Sequence, residues 1–197
     1  MPELSLLYLA GYALTGILAG VLAGLLGVGG GVIIVPVLTY LFEAQGLPEG
    51  ATVHLALGTS LGTIVFTSLS SARAHHRRGM VALELVKRIT PGILLGTFVG
   101  GFFAAHLSTA ALKLVFAIFL LFVAAQLLLD AKPRPTRVLP GTFGTSVAGS
   151  IIGVISGLVG IGGGSLSVPF MLWSNVEMRR AVGTSAAIGF PIAVAGA

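Results

Sequence analysis

Two clusters of glycine residues could bind an anion through backbone N–H groups. They read Gly-Val-Gly-Gly-Gly at residues 27–31 and Gly-Ile-Gly-Gly-Gly at residues 160–164, each inside a long uncharged stretch. Glycine disfavours a helix by about 1 kcal/mol relative to alanine, so each cluster predicts a break followed by a short helix. The N-terminus of such a helix has free N–H groups and a partial positive charge, which attract anions. The candidate anion-binding residues are Gly27, Gly29, Gly30, Gly31, Gly160, Gly162, Gly163, Gly164 and Ser165.

A Gly-Thr-Ser triplet follows each glycine cluster and could add hydroxyl donors. The triplets lie at residues 58–60 and 183–185, in otherwise apolar sequence. Such hydroxyls either bind an oxyanion or bond back to a carbonyl one turn earlier in their helix, and the sequence leaves both interpretations open. Thr59, Ser60, Thr184 and Ser185 are therefore further candidates for the binding site.

The two glycine clusters belong to a longer duplicated segment. Residues 20–38 and 153–171 are identical at ten of nineteen positions, and the copies start 133 residues apart. Each copy has a proline five residues after its glycine cluster, Pro36 in the first and Pro169 in the second. We expect a structural role for both prolines, because proline removes a backbone hydrogen-bond donor.

Other glycines recur at intervals of four residues. Two such sets are present: Gly16, Gly20 and Gly24, and Gly92, Gly96 and Gly100. Small residues at this spacing let membrane helices approach each other closely. We therefore expect these two sets to allow close helix packing. The same role is the alternative to anion binding for the glycine clusters at residues 27–31 and 160–164.

The composition is typical of a protein inside a lipid bilayer. Hydrophobic residues make up 55% of the chain and charged residues 9%, whereas roughly 25% is charged in soluble domains. Residues 4–42 and 138–176 contain no charge, and further apolar stretches cover 55–72, 89–105 and 113–129. A bilayer core requires roughly 20 helical residues. We predict an all-α, polytopic membrane protein with two glycine-broken helices.

The pattern predicts two similar halves joined by a basic linker. The first repeat, residues 1–130, has a helix over 6–26, a break at 27–31, a short helix to residue 42, and spans over 51–72, 89–105 and 111–129. The linker covers 131–140. The second repeat, 141–197, has a helix over 141–159, a break at 160–164, a short helix to 173 and one span from residue 181. Symmetry predicts roughly 250–260 residues in all, so we expect the C-terminal part to be missing.

Each broken segment either crosses the bilayer, which gives parallel halves, or doubles back as a hairpin, which gives inverted halves. Lysine and arginine cluster within residues 73–88, 132–137 and 179–180, and short cytoplasmic loops are rich in these residues. Hairpins place all three clusters on the cytoplasmic side and leave only Lys113 on the other. Charge therefore favours the inverted arrangement.

Several other functions are disfavoured. The net charge of +5 is explained by the basic loops, so we expect no nucleic-acid partner, and the absence of cysteine excludes thiolate catalysis. Neither glycine cluster has the lysine of a P-loop or the strand–helix context of a dinucleotide site. The carboxylates lie at the ends of spans or in loops, and His54 is either an interfacial residue or a proton carrier. We expect no enzyme, no cofactor and no metal site.

The paired motifs resemble the sulfite exporter TauE/SafE family of membrane permeases. Residues 24–31 with Pro36, residues 157–164 with Pro169, and the two Gly-Thr-Ser triplets carry the resemblance. It implies two similar halves, a multi-pass location in the bacterial inner membrane, and transport of sulfite, thiosulfate or an organosulfonate.

We therefore expect a secondary transporter (a permease) for a small inorganic or organosulfur anion, working in the lipid bilayer by alternating access. An anion channel and a non-transporting membrane assembly protein are the alternatives. The sequence leaves open the substrate, the direction of transport, the coupling ion and whether the chain forms a homo-oligomer.

Overall fold

The computed structural model describes residues 6–26, 30–129 and 139–197, and the regular structure in these ranges is entirely α-helical. The helices are α1 (Leu6–Leu26), α2 (Gly31–Ala44), α3 (Glu49–Arg77), α4 (Leu83–His106), α5 (Thr109–Leu128), α6 (Thr142–Val159), α7 (Gly164–Trp173) and α8 (Met178–Gly196). Four of them, α3 to α6, are long and apolar enough to cross a membrane. The protein is therefore a polytopic helical membrane protein, as its composition predicts.

The helix boundaries follow the glycine pattern of the sequence. α1 ends at Leu26 and α7 at Trp173, the predicted residues, and α6 ends directly before Gly160. The helices α2, α3 and α4 are longer than predicted, because a helix can continue beyond an apolar stretch into polar sequence. The predicted linker lies outside the described residues except for its last two, 139 and 140.

The first broken segment doubles back on itself. The Tyr8 hydroxyl, near the start of α1, donates a hydrogen bond to the carbonyl of Ala44 at the end of α2, over 3.1 Å. One turn further into α1, the ring of Tyr12 lies 6.3 Å from the ring of Phe42. The two helices are therefore antiparallel, and we call this pair the first hairpin (α1 and α2).

The second broken segment, α6 and α7, also doubles back, from the opposite end of the molecule. Leu139, just before α6, and Val176, just after α7, line one cavity together with Arg88 and Arg180. The same end holds the contact between the start of α4 and α8, where the N–H of Ala82, the N-cap of α4, donates to Thr184 Oγ1 over 3.0 Å. We call α6 and α7 the second hairpin and this end of the molecule the basic end.

The two hairpins open toward opposite ends, so the halves have the inverted arrangement that the charges favour. The first hairpin opens where α3 and α5 begin, and there Thr109 Oγ1 donates to the carbonyl of Gly50 over 2.8 Å. Lys113 lies at this end and its Nζ is 2.8 Å from Glu43 Oε1, so its charge is paired. The positive-inside rule predicts that the basic end faces the cytoplasm.

The helices α4 and α6, one from each half, pack in parallel through reciprocal glycines. A Cβ added at Gly92, Gly96 or Gly100 of α4 would collide with the backbone carbonyls of Ser146, Ser150 and Val154 of α6, in that order. In return, a Cβ at Gly149, Gly153 or Gly157 would lie 2.5–2.6 Å from carbonyl oxygens of α4. The packing predicted for the glycines of α4 is therefore confirmed.

The same prediction is wrong for Gly16 and Gly20 within the described part of the chain. A Cβ at either residue would meet no atom within 4 Å, because α1 turns this face away from α2. The side-chain surroundings of Gly24 lie outside what the structure describes.

Apolar side chains pack on both sides of the hairpin tips. One cluster lies toward the start of α3 and includes Val35, Leu57, Phe116, Val159 and Ile161. The other lies toward the basic end and includes Ile93, Ile152, Met171, Ile188 and Ile192. The tip of the second hairpin is thus enclosed by protein, the condition for irregular backbone at membrane depth.

Candidate functional site

The tips of the two hairpins touch each other. A Cβ added at Gly31, the first residue of α2, would lie 2.6 Å from the carbonyl oxygen of Gly160 and 2.9 Å from the Cα of Ile161. The two backbones therefore approach as closely as glycine allows. The structure thus brings Gly31, the last residue of the first glycine cluster, against the first two residues of the second cluster.

This place lies about halfway through the membrane-spanning part of the protein. The Cβ position of Gly160 is 2.7 Å from Leu57 Cδ2, and that of Gly162 is 3.2 Å from Ile64 Cγ2. At 1.5 Å per residue, Leu57 and Ile64 lie about 12 and 22 Å along α3, which is about 43 Å long. The second break is therefore at mid-depth.

The turn of the second hairpin depends on two glycines in the left-handed backbone region. Gly160 has φ 69° and Gly163 has φ 75°, values that other residues adopt only with strain. The carbonyl of Ser156 accepts the N–H groups of Gly160 and Ile161, over 2.8 and 3.2 Å. These bonds close the end of α6 and reverse the chain within four residues.

The turn leaves two backbone N–H donors at the start of α7 without a hydrogen-bond acceptor among the described residues. The carbonyl of Gly163 accepts the N–H groups of Leu166 and Ser167, over 3.1 and 2.8 Å, so α7 begins at Gly164. The N–H groups of Gly163 and Gly164 have no acceptor among the described residues. These donors and the helix dipole make the tip attractive to an anion.

Three of the four predicted hydroxyls bond to other parts of the protein. Ser60 Oγ donates to the carbonyl of Gly160 over 2.8 Å, and so links the first Gly-Thr-Ser triplet to the second hairpin. Ser185 Oγ and Ser167 Oγ are 2.8 Å apart, and Thr184 Oγ1 accepts the Ala82 N–H at the basic end. Thr59 is exposed on α3.

The remaining predicted residues fall into four groups. Gly27 and Gly29 lie outside the described residues. Gly30 is the N-cap of α2, the position that corresponds to Gly163 in the duplication. Gly164 and Ser165 are buried in the first turn of α7, while Pro36 and Pro169 each occupy the sixth position of their short helix.

The sequence patterns missed one residue at the tip, Ser156. This side chain is fully buried, and its Oγ has no hydrogen-bond partner among the described residues. The Oγ lies 3.6 Å from the position of a Cβ added at Gly163, the N-cap of α7. A signal was present: the second copy has serine at positions 156, 165 and 167, where the first copy has Ala23, Val32 and Ile34.

The tip is closed in this structure. Ile192 of α8 covers Gly163, and its Cδ1 occupies the space that a side chain at position 163 would need. Ile152 of α6 borders the same space, with its Cγ2 3.7 Å from that Cβ position. In the described ranges, no group of three or more His, Asp or Glu residues is placed to hold a metal ion.

The sequence is similar to that of a known transporter family and its members. The profile of the family described as sulfite exporter TauE/SafE matches residues 12–197. No solved structure matches the chain.

A probable membrane transporter protein of Haemophilus influenzae is 38% identical over 184 residues, which cover 93% of this chain and 70% of the relative. The probable membrane transporter protein YunE of Bacillus subtilis is 32% identical over 80% of this chain and 64% of its own length. The probable membrane transporter protein MJ0441 of Methanocaldococcus jannaschii is 32% identical over 89% of this chain and 66% of its own length. The chain thus spans about two thirds of the length of these relatives. The profile and the relatives together show that the chain belongs to the sulfite exporter TauE/SafE family of membrane transporters.

Proposed function

We propose that this protein transports a small sulfur-containing oxyanion (sulfite, thiosulfate or an organosulfonate) and binds it at the contact between the two hairpin tips. The family supports transport, and the description of its profile supports a sulfur oxyanion. The start of α7 supports the location, because it presents donors without acceptors at mid-depth. That is the observation on which the proposal rests.

The hydrogen-bond donors at the tip suit an anion that has lost its hydration shell. The carboxylates of the described residues lie at the ends of helices, away from the tip. The predicted ligands are backbone N–H groups of the glycine clusters, including those of Gly163 and Gly164. Fixed dipoles interact more strongly with charge in a low-dielectric interior than in water. Selectivity would arise from the number of donors and the size of the space.

The inverted hairpins supply a mechanism for alternating access. One hairpin enters from each side and the tips meet in the middle, which is the arrangement of transporters with inverted repeats. Movement of one hairpin relative to the other would open the tip toward one side at a time. Ile192 covers the tip in the present closed state.

Transport assays in proteoliposomes test this proposal. We expect saturable uptake of at least one of sulfite, thiosulfate and sulfoacetate, and none of chloride. Gly163→Leu should abolish uptake for two reasons. The leucine side chain would collide with Ile192, and leucine adopts the positive φ of this position only with strain. Gly62→Leu is the matched control, since a Cβ at Gly62 meets no atom within 4 Å.

Two results would contradict the proposal. Uptake by a correctly inserted Gly163→Leu variant at the rate of the Gly62→Leu control would exclude this site. An ohmic, non-saturating current of the same anions in a planar bilayer would show that the protein is an anion channel and not a transporter.

A further inference from the structure

Within the described residues, only two buried hydroxyl groups lack a hydrogen-bond partner, and one of them faces the tip. They belong to Thr97 of α4 and Ser156 of α6, and both side chains are fully buried. Most buried polar groups in proteins are hydrogen-bonded, and a native exception calls for an explanation. Thr97 Oγ1 faces the α4–α6 packing surface, where a Cβ at Gly153 would lie 3.0 Å from it.

Ser156 instead points to the start of α7. Its carbonyl accepts two N–H groups of the turn, so the turn is folded directly over this residue. Its Oγ lies 3.6 Å from the Cβ position of Gly163, whose N–H, like that of Gly164, has no acceptor among the described residues. A hydroxyl donor and two amide donors therefore lie close together at the tip of the second hairpin, and none of the three has a protein acceptor in the described ranges.

The two tips differ in this respect. In the first copy the residue that corresponds to Ser156 is Ala23, and those that correspond to Ser165 and Ser167 are Val32 and Ile34. All three serines are buried in the second hairpin. Within the duplicated segment, these hydroxyl groups therefore occur in the second copy only.

We propose that Ser156 is a ligand of the transported oxyanion, donating its hydroxyl proton to one anion oxygen while the start of α7 binds another. The second hairpin then forms the principal binding surface, and the first hairpin closes it through Gly31. This assignment rests on the function proposed above. Ile192 must change its rotamer or move with α8 for the anion to enter.

The test compares Ser156→Ala with Ser150→Ala in the purified protein. Ser150 lies on the same helix, but its Oγ donates to the carbonyl of Ser146 over 3.2 Å. Hydrogen bonds to a charged group correspond to roughly a 10- to 100-fold change in Kd. We expect Ser156→Ala to weaken binding of sulfite or thiosulfate by at least about tenfold, and Ser150→Ala to leave it unchanged.

Thermal unfolding without the anion separates a ligand from a structural residue. Ser156→Ala should leave the Tm unchanged or raise it, because its hydroxyl has no partner to lose. A lower Tm together with unchanged affinity would overturn the assignment and make the hydroxyl structural. Equal affinities of Ser156→Ala and the wild-type protein would overturn it while the proposed function stands. Absence of binding to the wild-type protein would overturn both.

Discussion

Gly31 of the first hairpin lies against Gly160 of the second, with backbone on both sides of the contact. A Cβ at Gly31 would be 2.6 Å from the Gly160 carbonyl oxygen, a distance that real Cβ atoms essentially never show. The two halves of the duplication therefore meet at the residues that define it. Glycine is needed at position 31 because a side chain has no space at this contact, and not because of the backbone conformation.

Gly31→Ala should separate the hairpin tips. The two atoms nearest to the new methyl group are backbone atoms, the carbonyl oxygen of Gly160 at 2.6 Å and the Cα of Ile161 at 2.9 Å, so one hairpin must move. We expect a loss of about 1–3 kcal/mol in the free energy of unfolding and a loss of transport. Unfolding in mixed detergent micelles measures the first. Gly62→Ala is the control, and equal behaviour of the two variants would contradict this contact.

Ser60→Ala should destabilise the second hairpin without removing an anion ligand. The hydroxyl donates to the Gly160 carbonyl in a buried site, and its loss leaves that carbonyl without this donor. An unsatisfied buried acceptor lowers stability by about 1–3 kcal/mol. Ser70→Ala, on the exposed face of the same helix, should change stability by less than about 0.5 kcal/mol. Equal unfolding curves for the two variants would show that the Ser60 bond is absent.

Two sets of glycines with the same spacing should respond to alanine with opposite signs. Gly96→Ala collides with the carbonyl of Ser150 and should lower stability by about 1–3 kcal/mol. Gly16→Ala meets no atom within 4 Å in the described structure and should raise stability by up to about 1 kcal/mol, through helix propensity. Detergent unfolding curves measure both. Destabilisation of similar size at both positions would contradict the packing described.

The inverted arrangement can be tested with single cysteines, because the chain has none. Glu84→Cys and Glu177→Cys both lie at the basic end, whereas Glu49→Cys lies at the start of α3 at the other end. A membrane-impermeant maleimide should label the first two from the cytoplasmic side and the third from the outside. Labelling of positions 84 and 177 from opposite sides would mean that the second hairpin crosses the bilayer.

The sequence predicts the helices better than it predicts their partners. Clustered glycines interrupt a helix wherever they occur, so the end of α6 and the length of α7 follow from local composition. The spacing of glycines does not identify the helix against which they pack. Gly16 and Gly96 therefore look alike in the sequence, although only Gly96 packs against another helix in the described structure. The partners of Ser60 and Ser185 depend on how the hairpins meet, which no local pattern encodes.

Ser156 was missed for a different reason. Ser156 lies four residues before the second glycine cluster, inside an apolar stretch that predicts an ordinary helix, and its counterpart in the first copy is Ala23. We infer that the residues shared by the two copies determine the backbone conformation of the site. Residues that differ between the copies, such as Ser156, supply the side-chain hydroxyl groups.

Thermal unfolding of the detergent-solubilised protein with sulfite, thiosulfate or sulfoacetate measures whether the folded protein binds a sulfur oxyanion, with chloride and phosphate as controls. We predict that at least one sulfur oxyanion raises the Tm and that chloride does not, since a ligand that binds only the folded state stabilises it. We also predict that Gly163→Leu removes this rise and Gly62→Leu keeps it. A folded wild-type protein whose Tm is unaffected by every sulfur anion would contradict the proposed binding.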